Sequence, residues 1–324
     1  MRIVLMKTSP WLALLVPLVL VAPGCGALSD ESGSDGDRVQ VAAGFYPLAW
    51  VAEQVAGDRA DVVNLTKPGQ EAHEAGLSIE KTADLASADL ALTHQALQPE
   101  VFDAAETNAQ GKVLDVEDVV DLAPAGTGHD HDEHDDHDDH GDEGHEDDGH
   151  DHGDEDPHFW LDPLLMADLG DAVAEELSEI DPEGAEQYAD SAEALRGRLE
   201  ELDREYTDGL AGCERNVVVV SHDAFGYLGR YGLEFEPIAG LSPDAEPTAA
   251  DLQHLQELIR DEGLTTVFSE TLGSSAPARS LAKDTGLRTD TLDPIEGLSG
   301  SGSQADYLSL MRDNLDALRK ADGC

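Results

Sequence analysis

The sequence predicts an α/β protein of two lobes with mainly parallel sheets, joined by a long rigid helix. Three observations carry this. From Val39 to the end, short apolar runs alternate with stretches of helical spacing. Some of the runs, Asn216–Val220 above all, lack the polar alternation of a half-exposed strand and read as strands covered on both faces. Between the two series lies a segment from Glu183 to Leu210 rich in Ala, Glu and Leu, long enough as a helix to brace both lobes. A chain of 324 residues, 40% of them hydrophobic, can fill two cores of ordinary domain size.

The N-terminus comes first. Arg2 and Lys7 precede an apolar run from Trp11 to Ala22, which ends at Ala22-Pro23-Gly24-Cys25. Residues 1–24 therefore read as a signal peptide, too short to span a bilayer. A small residue directly before a cysteine is what lipoprotein processing needs, so Cys25 is expected to carry lipid and anchor the chain to the outer face of a membrane. Pro23 is unusual at that place. Residues 25–37 are rich in Gly, Ser and acid and read as a flexible tether on the order of 20 Å long.

The first lobe is assigned to residues 38–162. Strands are expected near Val39–Ala43, Asp61–Leu65, Leu90–Thr93 and Val113–Asp115, with helices near Pro47–Ala56 and Ser78–Ala86. Residues 163–211 are linking helices, broken at Asp181-Pro182. The second lobe, 212–324, offers strands at Asn216–Val220, Thr265–Phe268 and Arg288–Leu292, and helices at Thr248–Glu262, Ala276–Thr285 and Ser303–Lys320. No internal repeat is visible at the residue level. With Cys25 lipidated, Cys213 and Cys324 remain in an oxidising compartment and are expected to pair.

Charge narrows the partners. A net charge of −51 excludes nucleic acid, whose phosphates would be repelled, and favours cations. A segment of low complexity, 124–156, accounts for 16 of the acidic residues and has no basic one. It also carries His129, His131, His134, His137, His140, His145, His150 and His152. Such a composition predicts no fixed structure, and imidazoles mixed with carboxylates would bind zinc, copper or nickel weakly as an accessory. Most of the excess charge lies elsewhere and fits a chain adapted to salt.

A better-formed site is expected from the remaining histidines. Ligands of α/β sheets bind beyond the carboxyl ends of strands. There the sequence places His73, past the turn Thr66-Lys67-Pro68-Gly69, and His222, directly after the strand ending at Val220. His158 stands between two prolines in Asp156-Pro157-His158-Phe159-Trp160-Leu161-Asp162-Pro163. Three imidazoles and one carboxylate suit tetrahedral zinc in a cleft between the lobes. Asp293, after the last strand, is the expected carboxylate; Glu270 is expected to orient an imidazole from outside, with Glu71 a weaker candidate. His94 and His254 read as structural.

These segments resemble the zinc and manganese solute-binding proteins of metal ABC transporters, most closely the ZnuA-like zinc-uptake type. The resemblance rests on Gly44-Phe45-Tyr46-Pro47-Leu48, Pro68-Gly69 with His73, and Pro157 to Pro163. It rests also on Ser221-His222-Asp223-Ala224-Phe225-Gly226-Tyr227-Leu228, Ser242-Pro243-Asp244-Ala245-Glu246-Pro247 and Leu292-Asp293-Pro294-Ile295-Glu296-Gly297. It implies that His73, His158 and His222 hold zinc with Asp293 as fourth ligand, and that a permease with its ATPase receives the ion. A histidine at 222, where manganese-type members tend to carry a carboxylate, argues for zinc. Glu74-Ala75-Gly76-Leu77 departs from the usual pattern after the first ligand. The alternatives are a manganese or iron receptor of the same family, a surface buffer without a transporter, and a secreted zinc hydrolase. The last lacks any His-Glu-x-x-His motif or nucleophile elbow. The expected protein is thus a monomeric receptor and no enzyme.

Overall fold

Short apolar strands set the centre of each half. The computed structural model describes residues 38–125, 155–243, 245, 247–300 and 305–324. The expected signal peptide, Cys25, the tether and the eight histidines of 129–152 lie outside the described residues. In the first sheet, β1 (Val39–Ala43) is flanked by β2 (Ala60–Asn64) and β3 (Leu90–Thr93), and β4 (Lys112–Asp115) forms the far edge. In the second, β5 (Val217–Val220) lies between β6 (Glu234–Pro237) and β7 (Thr266–Ser269), with β8 (Arg288–Thr291) outermost. Every pairing within the two sheets is parallel. The two sheets therefore share one strand order, a symmetry that leaves no trace in residue identity.

The helices follow their capping and packing signals. They are α1 (Tyr46–Ala56), α2 (Ile79–Ser87), α3 (Pro99–Asn108), α4 (Pro163–Ile180), α5 (Ala185–Leu210), α6 (Ala249–Asp261), α7 (Ala276–Thr285) and α8 (Tyr307–Asp322). Thr248 caps α6 and Asp306 caps α8, each in a reciprocal capping box with the third helical residue. The 26 residues of α5 reach about 39 Å. Its buried residues, Tyr188, Ala192, Leu195, Leu199, Leu202, Tyr206 and Leu210, recur every three or four positions and form one stripe. That stripe packs on α1, α4 and α8, and the Tyr206 hydroxyl donates to the Met311 carbonyl oxygen at 2.6 Å. Against α4 the approach is close, since a Cβ on Gly170 would lie 3.1 Å from Leu195.

The main core is continuous between the halves, running from Val41 and Trp50 through Phe159 and Trp160 to Val220 and Phe268. Smaller apolar clusters back the far side of each sheet, around Leu85 in the first and Leu255 in the second. Cys213 and Cys324 form a disulfide with Cα atoms 4.2 Å apart, as expected. Beside it the amides of Glu214 and Arg215 donate to the Asp322 carbonyl oxygen at 3.0 and 3.1 Å.

The structure adds one α-helix and one strand to those expected, α3 and β6. Pro99 at the first turn of α3 is a helix-start signal. β6 alternates Glu with Phe and ends at Pro237, which suits an edge strand but resembles a loop in sequence. The low-complexity segment also begins and ends more tightly than expected: Pro124 and Glu155 pair across its base, and Asp156 is buried.

Candidate metal centre

Three of the four expected ligands converge where the sheets face one another. His222 stands two residues past the end of β5, His73 lies in the loop after β2, and His158 leads into a 3-10 turn at Phe159–Leu161. The fourth group is Glu296, from the loop after β8; one donor atom of each of the four lies within 4.8 Å of the others. His158 and His222 are fully buried and Glu296 is 3% exposed.

Distances fit a tetrahedral ion. His73 Nε2 and His158 Nε2 lie 3.3 Å apart. Oε1 of Glu296 is 3.5 Å from His73 Nε2, 3.9 Å from His158 Nε2 and 3.6 Å from His222 Nε2. Ligand bonds of about 2.0–2.1 Å give a tetrahedron with edges of about 3.3–3.4 Å. Neither His222 Nε2 nor Glu296 Oε1 has a hydrogen-bond partner among the described residues, although both are buried. Such orphaned atoms facing a common point fit a cation between them.

The outer faces of the rings are held. His158 Nδ1 meets Oδ1 of Asp156 at 2.7 Å, and the same oxygen accepts the His158 amide at 2.9 Å. Asp156 fits because residue 226 is glycine: a Cβ there would come within 2.7 Å of its carboxylate. His222 Nδ1 meets Glu270 Oε1 at 2.6 Å, the orienting place expected for Glu270. Glu71 is not among the four; its carboxylate lies beside Gly273.

Asp293 is a correction. Its Oδ2 accepts from the Thr271 hydroxyl at 2.7 Å and its Oδ1 from the Ile295 amide at 2.8 Å, so the side chain closes its own turn. Asn314 brackets the same residue, accepting from its amide at 2.8 Å and donating to its carbonyl at 2.7 Å. Ile295 then adopts φ of 60°, a left-handed conformation rare for a β-branched residue, and the chain swings Glu296 inward. Oε2 of Glu296 accepts from the Ala72 amide at 3.3 Å, leaving Oε1 for the cleft. Glu296 stood inside a motif already singled out, but the turn at Ile295 is invisible in sequence.

Electrostatics follow from crowding. Burial lowers the His158 pKa, with the Asp156 hydrogen bond opposing it. Burial pushes His222 down as well, but Glu270 and Glu296 outweigh it and raise the pKa to about 10. Burial raises Glu296, yet the His222 and His73 imidazoles beside it hold it far below the usual carboxylate range. His94 is fully buried, its ring edge-on to Phe159 at 5.4 Å between centroids. His254 is exposed on α6.

The family described as zinc-uptake complex component A, periplasmic (ZnuA), matches residues 41–321. The zinc-binding lipoprotein AdcA of Streptococcus pneumoniae is 35% identical over 97% of this chain and 60% of its own length, so the chain spans less than two thirds of that relative. The high-affinity zinc uptake system protein ZnuA of Bacillus subtilis is 32% identical over 93% of both chains. Among solved structures, the Zn(II)-bound ZnuA-like domain of S. pneumoniae AdcA superposes with a TM-score of 0.70 at 30% identity, covering 89% of this chain and 100% of that one. With matching motifs, two parallel sheets of one order and a histidine-lined cleft between them, the chain belongs to the ZnuA family of zinc-uptake solute-binding proteins.

Proposed function

We propose that the chain captures zinc outside the cell through His73, His158, His222 and Glu296 and hands it to the permease of a metal ABC transporter. The observation that carries this is the meeting of three imidazole nitrogens and one carboxylate oxygen at tetrahedral spacing. A donor set richer in nitrogen than oxygen favours zinc over manganese. Four protein ligands leave no open position for an attacking water, so the centre holds an ion and catalyses nothing. Asp156 and Glu270 keep two rings aimed inward before the ion arrives.

In this reading residues 1–24 are removed, lipid on Cys25 holds the monomer at the outer face of the membrane, and residues 25–37 give it reach. Residues 38–162 and 212–324 supply the lobes and 163–211 the brace between them. The histidines of 129–152 act as an accessory that concentrates metal near the cleft. The permease, with its ATPase, triggers release by docking.

Purified chain loaded with zinc, added to a reconstituted metal ABC permease with its ATPase from the same organism, tests this reading. Stimulation of ATP hydrolysis and zinc uptake by the zinc-loaded form is expected. Stimulation by the manganese-loaded form alone, or zinc-dependent cleavage of ester or peptide substrates without any transport, would contradict it.

A further inference from the structure

A second set of donor atoms meets at the carboxyl end of the first sheet. Thr93 and Asp115 are register partners that end β3 and β4. His94 follows the one, and Glu117 sits in the 3-10 turn Val116–Asp118 after the other. One donor atom from each of His94, Asp115 and Glu117 lies within 4.8 Å of the other two, and His94 Nδ1 is 3.9 Å from Glu117 Oε1.

The tautomer of His94 is settled by its neighbour. Nε2 lies 2.7 Å from the Pro157 carbonyl oxygen, which can only accept, so Nε2 carries the hydrogen. In the neutral ring Nδ1 then presents a lone pair. Burial is the main reason the ring stays neutral, holding the pKa near its value of about 4. Nδ1 is buried and has no hydrogen-bond partner among the described residues. A lone pair turned toward two carboxylates, with no donor between them, is costly unless a cation lies there.

The carboxylates are fixed from behind. Oδ2 of Asp115 accepts from the Thr93 hydroxyl at 2.6 Å and the Gln95 amide at 3.1 Å, and Oδ1 from the Glu117 amide at 3.1 Å. Oε1 of Glu117 accepts from the Ala96 amide at 2.7 Å. Preorganised outer partners of this kind are what a metal-ligating carboxylate needs.

We propose that His94, Asp115 and Glu117 form a second divalent-cation site, which takes a zinc-class ion through one imidazole nitrogen and two carboxylates. One such ion neutralises both carboxylates. The Glu117 side chain is 33% exposed, which gives the ion a way in and leaves its remaining positions to water. With only three protein ligands that must draw together around the ion, the site is weaker than the cleft. It also touches the cleft indirectly. An ion on Nδ1 makes the Nε2 hydrogen a stronger donor to Pro157, and so stiffens the segment that carries His158.

Nitrogen-labelled histidine NMR of the full chain during zinc titration tests this, with His94 assigned through its contact with the Phe159 ring. Because the readout is the His94 resonance itself, the histidines of 129–152 do not enter it. After the first equivalent fills the cleft, further zinc is expected to move Nδ1 of His94 while Nε2 keeps its hydrogen. Glu117→Gln keeps an acceptor for the Ala96 amide and is expected to weaken this second titration at least roughly tenfold, leaving the shifts of His222 unchanged. A His94 Nδ1 resonance that stays fixed under excess zinc would overturn the proposal, as would a titration indifferent to Glu117→Gln. Neither result bears on the cleft, whose histidines report separately.

Discussion

Nδ1 of His222 and Oε1 of Glu270 lie 2.6 Å apart, so the outer nitrogen of this ring is committed and only Nε2 is offered to the cleft. Glu270→Gln keeps an acceptor but removes the charge that raises ligand basicity. Zinc affinity is expected to fall about 10- to 100-fold, measured by competition with a chelator. An unchanged affinity would mean that the pair only fills space.

Glu296 and Asp293 divide two tasks that residue identity alone does not separate. Glu296→Gln should cost about 100-fold or more in zinc affinity, because it removes the only carboxylate in the cluster of four. Asp293→Asn retains an acceptor for the Ile295 amide and should cost less than about tenfold. The reverse order would restore Asp293 as the ligand.

The fold itself was largely legible, because buried parallel strands are plain apolar runs. Val39–Ala43, Leu90–Thr93 and Ala276–Thr285 lie where periodicity places them. His73 and His222 were legible because strand ends are where such folds bind ligands, and His158 because it stands in a segment bounded by Pro157 and Pro163. What was hidden depends on conformation rather than composition. Glu296 reaches the cleft only because Ile295 takes a positive φ, and Asp293 is lost to it through a turn of two residues. The common strand order of the two sheets is a matter of topology, which residue identities need not repeat.

Stability should depend on pH through Asp322, at the end of α8 and far from the cleft. Burial raises its pKa from 3.8 to about 7, against the pull of Arg215, and its Oδ2 has no hydrogen-bond partner among the described residues. The fold therefore holds this proton more tightly than the unfolded chain does. The stability this contributes is full below pH 3.8 and is lost as pH rises through about 7. Asp322→Asn should raise the Tm at pH 8 by a few degrees and flatten that part of the profile. A lower Tm at pH 8 in thermal melts would contradict this.

The Cys213–Cys324 bond closes a loop across 111 residues and fastens α8 to the start of β5. Loop-closure entropy gives such a link about 4–5 kcal/mol. Cys213→Ser with Cys324→Ser, or reduction, should lower the Tm by roughly 10 °C while zinc affinity at low temperature stays the same. Loss of zinc binding in the folded double variant would show that the link also shapes the cleft.

Zinc titration by chelator competition, comparing the full chain with a form lacking residues 128–153 and with His222→Ala, is the most direct test of the metal centre. One tight site should survive the deletion and collapse in His222→Ala. If tight binding instead vanished with residues 128–153 and ignored His222, the cleft histidines would be structural and zinc capture there would lose its chemical basis.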